Sequence, residues 1–173
     1  MIGGFTEIFF SFMDKGGNVL WLIAILLFLM WTLIFERLWF FNFVWRKEVF
    51  EIIREWEARG ERKSWNAKQI RARLLSVSSE DIQANLPLIT TMVALCPLLG
   101  LLGTVTGMIE VFNVMAVTGG GDAKSMAGGV ERATIPTMAG MVAALSGLFA
   151  NTYLQRIADQ EQELLQDQLT SDH

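Results

Sequence analysis

The stretch CPLLGLLGTVTGMIE, residues 96–110, decides the fold class. It combines an apolar run with glycines and threonines, which contact with lipid alone does not require. On a helix turning about 100° per residue, Gly100, Thr104 and Gly107 share one narrow stripe, with Gly103 beside it. Small residues let two membrane helices approach closely, and hydroxyls bond across such a contact or back to their own helix. The stretch therefore predicts a membrane-spanning helix that packs tightly against another helix.

The composition of the whole chain also favours a membrane protein. Of its 173 residues, 52% are hydrophobic and only 18% are charged, so the chain is more apolar and less charged than the usual soluble domain. Crossing about 30 Å of hydrocarbon takes roughly 20 helical residues, and uncharged runs near this length lie at 18–35, 85–109 and 133–155. We therefore expect an all-α membrane protein with three transmembrane helices and long cytoplasmic extensions.

The distribution of Lys and Arg predicts the orientation. Residues 43–87 carry nine of them, against one before the first span (Lys15) and one between the second and third (Lys124). The positive-inside rule makes the 43–87 loop cytoplasmic, so the N-terminus is outside and the C-terminus inside. The predicted segments are an external N-terminal segment, an amphipathic helix (1–17), transmembrane helix 1 (18–45), a cytoplasmic helical loop (46–84), transmembrane helix 2 (85–113), a short periplasmic loop (114–129), transmembrane helix 3 (130–153), and a cytoplasmic C-terminal helix and tail (154–173).

The third span repeats the pattern of the second. Thr134 and Thr137 share one of its faces, and Gly140 lies to one side. Pro136 removes a backbone donor and frees the carbonyl of Arg132, which we expect the two threonine hydroxyls to satisfy. Two spans thus each offer a narrow, partly hydroxylated stripe.

Charged residues occur only near the ends of these two spans. Glu110, Glu131 and Arg132 lie toward the external side, where partial solvation lowers the cost of a charge. The only His is the last residue, the only Cys is Cys96, and no nucleophile, base and acid share a depth. We therefore expect no enzyme, no metal and no cofactor.

Two motifs carry a family resemblance. PLLGLLGTVTGMI, residues 97–109, is similar to the pattern P-x-x-G-L-x-G-T-V-x-G, and TMAGMVAALSGLFANTYLQR, residues 137–156, is similar to T-A-x-G-L-x-A-A-I-P-A. Together with the basic cytoplasmic loop, they make the chain resemble the ExbB/TolQ/MotA family of proton-driven membrane motors. The resemblance is closest to the ExbB branch, in a compact second type belonging to a TonB system.

The resemblance implies an assembly in the bacterial inner membrane. Five copies would form a ring around a central pore, enclosing the single spans of an ExbD-like partner and energising a TonB-like protein for iron-siderophore or haem uptake. Thr104 and Thr137 match the family's pore threonines, with Thr134 nearby. No acid lies deep in either span, so the partner would carry the proton. Five residues before Thr137, where family members usually have a glutamate, this chain has Arg132. Glu131 lies one place earlier, so its side chain is turned by about 100° around the helix.

Three other interpretations remain open from the sequence. A TolQ-like subunit would serve envelope maintenance through the same kind of ring. A purely structural oligomer would use Gly100, Gly103, Gly107 and Gly140 only for helix packing. A self-sufficient ion channel would need rings of charge, which only the end residues Glu110, Glu131 and Arg132 could supply.

Overall fold

A computed structural model of the chain describes residues 2–58, 60, 64–119 and 123–169. Arg59, Arg62 and Lys63 of the basic loop, and residues 120–122 of the predicted periplasmic loop, lie outside this description. The helices are α1 (Ile2–Trp39), a π-helical turn (Phe40–Val44), α2 (Trp45–Glu57), α3 (Trp65–Gln83), α4 (Leu86–Thr118) and α5 (Ala123–Gln168).

This element order confirms the all-α fold. Three helical stretches of the described chain are long and apolar enough to cross a membrane: Gly17–Glu57, Trp65–Val117 and Met126–Gln168. Each extends beyond the apolar run that predicted it. The predicted external segment 1–17 is helical from Ile2, and α1 kinks at Gly17, whose φ of +66° suits a residue without a Cβ.

The predicted cytoplasmic loop contains α2 and α3, separated by a break. The hydroxyl of Ser64 accepts a hydrogen bond from the backbone N–H of Ala67 at 3.2 Å, which caps the start of α3. A tight turn at Ala84 and Asn85 then leads into α4, with Asn85 at a φ of +63°. Pro87 lies in the first turn of α4, where a missing N–H costs little.

The connection between α4 and α5 is shorter than the predicted loop 114–129. Helix α4 continues to Thr118, and α5 begins at Ala123. The sequence prediction took the glycines here as loop residues, but Gly129 is helical and lies against α4. A Cβ at Gly129 would be 2.3 Å from Cγ2 of Val111, so this glycine provides room for a close helix contact.

The chain divides into two compact units. The first combines the described residues of Met1–Trp31 with Thr90–Leu148, and its core contains Ile23, Cys96 and Ala143. The second combines Thr32–Ile89 with the described residues of Phe149–His173. Its fully buried side chains include Trp45, Trp56, Ile82, Leu154 and Leu165.

Candidate functional site

Helices α4 and α5 meet through glycines in the first unit. A Cβ at Gly100 would lie 3.0 Å from both the carbonyl oxygen of Pro136 and Cα of Thr137. A Cβ at Gly103 would lie 2.3 Å from Cβ of Pro136. The turn of α5 around Pro136 therefore lies on the glycine stripe of α4, so close that a Cβ at Gly103 would force the neighbouring atoms to shift.

The same close packing continues along the pair in both directions. A Cβ at Gly107 would be 2.8 Å from Cα of Ala133, and one at Gly140 would be 2.5 Å from the carbonyl oxygen of Cys96. The contact positions rise in residue number along α4 as they fall along α5, so the two helices run antiparallel. All four glycines that the sequence assigned to helix packing lie in this contact.

The hydroxyls of Thr104 and Thr137 both donate to backbone carbonyls. Thr137 Oγ1 donates across the helix pair to the carbonyl of Gly100 at 2.9 Å. Thr104 Oγ1 donates within its own helix to the carbonyl of Leu101 at 2.7 Å. Both side chains are half-buried. Because each O–H is already engaged, the oxygen lone pairs are what these threonines can offer to another group.

The structure corrects the expectation about the carbonyl freed by Pro136. Thr134 Oγ1 donates to the carbonyl of Glu131 at 2.9 Å, and Thr137 donates to α4, so neither reaches the carbonyl of Arg132. The physical reason is reach, because a helical threonine bonds carbonyls three or four residues back. Arg132 is two residues before Thr134 and five before Thr137.

Helix α1 covers one flank of the α4–α5 pair. Ile23 of α1 forms a buried cluster with Cys96 of α4 and Ala143 of α5. Counting about 100° per residue from the glycine contacts places Thr104 and Thr137 on the opposite flank. Since the helices are antiparallel, the two threonines turn toward the same side of the pair. The flank that α1 leaves open therefore carries both of them.

The residues around these threonines are uncharged. We call this set the threonine flank; it comprises Leu101, Thr104, Val105, Met108, Thr134, Thr137, Met141 and Leu145. Its large apolar members are open, with Leu101 58% and Met141 55% exposed. No Asp, Glu, Lys or Arg occurs in the set, so the flank offers hydroxyl oxygens in an otherwise apolar surface.

The three end charges lie elsewhere. Glu110, Glu131 and Arg132 are all exposed. On the same count, Glu110 and Arg132 lie toward the flank that α1 covers, and Glu131 lies on the face of α5 opposite α4. The structure therefore brings Thr104, Thr134 and Thr137 to one flank and leaves these charges off it.

Comparison with known proteins identifies the family of this chain. The model of the MotA/TolQ/ExbB proton channel family matches residues 46–167 of the chain. The chain belongs to the MotA/TolQ/ExbB proton channel family. Members of this family are channel and transport proteins, so this ExbB-like chain is not an enzyme. Among its described residues, no three His, Cys, Asp or Glu side chains form a group that could hold a metal.

Named relatives are similar over part of their length. The ExbB-like 1 biopolymer transport protein of Synechocystis sp. is 43% identical over 79 residues, covering 44% of this chain and 31% of the relative. The biopolymer transport protein ExbB of Helicobacter pylori is 37% identical over 79 residues, covering 46% and 54%. These matches cover between about a third and a half of the curated relatives' length. No solved structure matches the chain.

One residue of this family member was not singled out from its sequence. Arg37 is only 2% exposed, and its guanidinium lies 4.8 Å from the ring centre of Phe40. Nε donates to the carbonyl of Ala84 at 2.5 Å and Nη2 to that of Asp81 at 2.8 Å. Both carbonyls belong to the end of α3, where helical partners are lacking. The signal in the sequence that could have identified Arg37 is its charge, which lies one helical turn before the aromatic residues that begin at Phe40.

Proposed function

We propose that this chain is the ring-forming subunit of a proton-driven complex of the TonB–ExbB–ExbD type in the bacterial inner membrane. The observation that carries the proposal is the position of Thr104 and Thr137 on the one flank of the α4–α5 pair that α1 leaves open. In a ring of five copies, each copy turns its threonine flank toward a central pore and its α1 toward lipid.

The chemistry of the flank explains why a second protein is needed. A proton that crosses the membrane releases about 2.3 kcal/mol per 100 mV of membrane potential. The threonine flank has no ionisable group to carry that proton, so an ExbD-like single-span partner in the pore supplies a carboxyl. The complex uses this energy to drive a TonB-like protein in iron-siderophore or haem uptake.

The hydrogen bonds of the threonines determine which form of that carboxyl they favour. Both O–H groups donate to backbone carbonyls, so the oxygens accept. A protonated carboxyl donates a hydrogen and can bond them, whereas a carboxylate only accepts. The apolar surroundings also disfavour a charge. The flank therefore favours the neutral carrier as it passes through the ring.

A channel made by this chain alone is less well supported. Such a channel needs rings of charge at a constriction. Glu110, Glu131 and Arg132 could supply them, but the helical register turns all three away from the threonine flank. The proposal accordingly assigns these charges to the external ends of the helices and not to the proton path.

The test is the loss of each pore hydroxyl without a change of shape. We expect Thr104→Val and Thr137→Val to lower iron-siderophore uptake at least fivefold, because leaving a buried polar group without its partner costs about 1–3 kcal/mol. Uptake is measured in cells where this protein and its single-span partner form the only complex of this kind. Assembly is checked by co-purification of the two proteins.

The matched control is Thr106→Val on the same helix. Thr106 Oγ1 also bonds to backbone carbonyls of its own helix, those of Leu102 and Gly103, but the register turns it away from the threonine flank. Uptake should stay near wild type in this variant. Wild-type uptake in both Thr104→Val and Thr137→Val would overturn the proposal, and an equal loss in Thr106→Val would assign the effect to helix packing.

A further inference from the structure

Two outward faces of opposite charge occur in the second unit. The basic face, on α2, consists of Lys47, Phe50 and Arg54. The acidic face, on α5, consists of Glu163, Leu164 and Asp167. All six side chains are exposed, and the apolar member of each face is open, with Phe50 67% and Leu164 53% exposed. Each face therefore combines two like charges with one exposed apolar side chain.

Within the part of the chain that the structure describes, the charged side chains of these faces have no partner. The side chains of Lys47, Arg54, Glu163 and Asp167 form no hydrogen bond or ion pair there. The charged side chains of both faces lie opposite the buried side of their helix, so they point away from each other within one copy. The basic face is bordered by Arg46, Glu51 and Glu57, and the acidic face by Arg156 and Asp159, which leaves a net charge of +1 on the first and −2 on the second. Each face is complementary to the other on a different copy.

The two faces also lie at about the same height. Trp45 Nε1 donates to Glu161 Oε2 at 2.9 Å, so α2 and α5 are neighbours at this point. Lys47 and Glu163 each follow two residues later. Copies arranged around an axis normal to a membrane keep each residue at one height. The basic face of one copy can therefore meet the acidic face of the next without any vertical shift.

We propose that the basic face of one copy docks on the acidic face of the neighbouring copy. This inference rests on the ring of the proposed function and names the surfaces that close it outside the apolar spans. Phe50 packs against Leu164, and the charges pair around them, as in interfaces with an apolar centre and a polar rim. Because the two faces differ, the contact is head-to-tail, which is the kind of contact that builds a closed ring and not a two-fold dimer.

Cysteine cross-linking in membranes tests the contact with the full chain. Cys96 is buried and is replaced by alanine, after which Phe50→Cys and Leu164→Cys are introduced together. Mild oxidation should give a ladder of dimers and larger species on a non-reducing gel. Neither cysteine alone should cross-link. The matched control combines Phe50→Cys with Val77→Cys, which is 51% exposed on α3 and should give no ladder.

Charge exchange gives a second measurement that does not need cysteine. We expect Lys47→Glu or Glu163→Lys alone to raise the dissociation constant between copies about tenfold, and the two together to restore it. Lys68→Glu on α3 makes the same change outside both faces and should leave association unchanged.

Four results would overturn the contact. Cross-linking by Phe50→Cys alone would make the contact two-fold, and a ladder from the Val77 control would make the cross-linking unspecific. No ladder, in a protein that native mass spectrometry still shows as an oligomer, would exclude this contact and leave the ring intact. Monomers alone would overturn the ring as well, whereas the proton path is tested separately by uptake in the threonine variants.

Discussion

At the scale of single residues, the glycines of α4 and α5 have one shared function, which is to remove side-chain volume at the helix contact. Gly140 faces a backbone oxygen, that of Cys96, which cannot move aside without bending α4. A Cβ at Gly128 would meet nothing within 4 Å, although this glycine also lies in α5. The two glycines therefore have opposite tolerance for a methyl group.

This difference predicts opposite effects of one substitution. Gly140→Ala should lower the free energy of unfolding by about 1–3 kcal/mol, because overpacking forces the helices apart. Gly128→Ala should be neutral or stabilise by up to about 1 kcal/mol, because alanine is the better helix former. Thermal unfolding of the detergent-solubilised protein measures both. Equal melting temperatures for the two variants would contradict the close contact at Gly140.

At the scale of elements, arginines from other helices bind the carbonyls that helix ends leave without partners. Arg37 binds the end of α3, and Arg71 binds the end of α5. Arg71 Nε donates to the carbonyl of Leu169, and its Nη2 donates to that of Gln166 at 3.2 Å. A cation at a helix C-terminus also interacts favourably with the helix dipole. Both helix ends are thus held by side chains distant in sequence.

Loss of Arg71 should therefore loosen the end of α5. We expect Arg71→Gln to speed hydrogen exchange of the amides near residue 165 about tenfold, because it removes two bonds worth roughly 0.5–1.5 kcal/mol each. Arg73→Gln changes an exposed arginine on the same helix as Arg71 and should leave exchange unchanged, because the Arg73 side chain forms no hydrogen bond or ion pair among the described residues. Similar exchange in the two variants would refute the capping role of Arg71.

The sequence predicts what is periodic and local, and misses what depends on distant contacts. Three apolar runs and the glycine–threonine spacing were enough for the helices and for the stripe of Gly100 and Thr104. The contact of Arg71 with Leu169 joins residues 98 positions apart, and no local pattern encodes it. The open flank likewise depends on where α1 packs. The sequence does not show that Ile23 packs on Cys96, so on the sequence alone the threonines could face either α1 or a pore.

At the scale of the whole molecule, the charge distribution predicts the membrane orientation. With three spans, the orientation that we predict has the two termini on opposite sides of the membrane and the basic segment that contains α2 and α3 in the cytoplasm. In the proposed complex this orientation matters, because it fixes which end of the pore receives the protons that flow down the membrane potential.

Labelling from one side of the membrane tests this orientation. In a Cys96→Ala background, Gly128→Cys near the start of α5 should react with a membrane-impermeant maleimide in intact spheroplasts. Val77→Cys on α3 is exposed in the structure and should react only after the membrane is opened. Both positions are outside the buried contacts, so the cysteines should not disturb folding. Labelling of Val77→Cys before permeabilisation, with protection of Gly128→Cys, would invert the predicted orientation and with it the end of the pore at which protons enter.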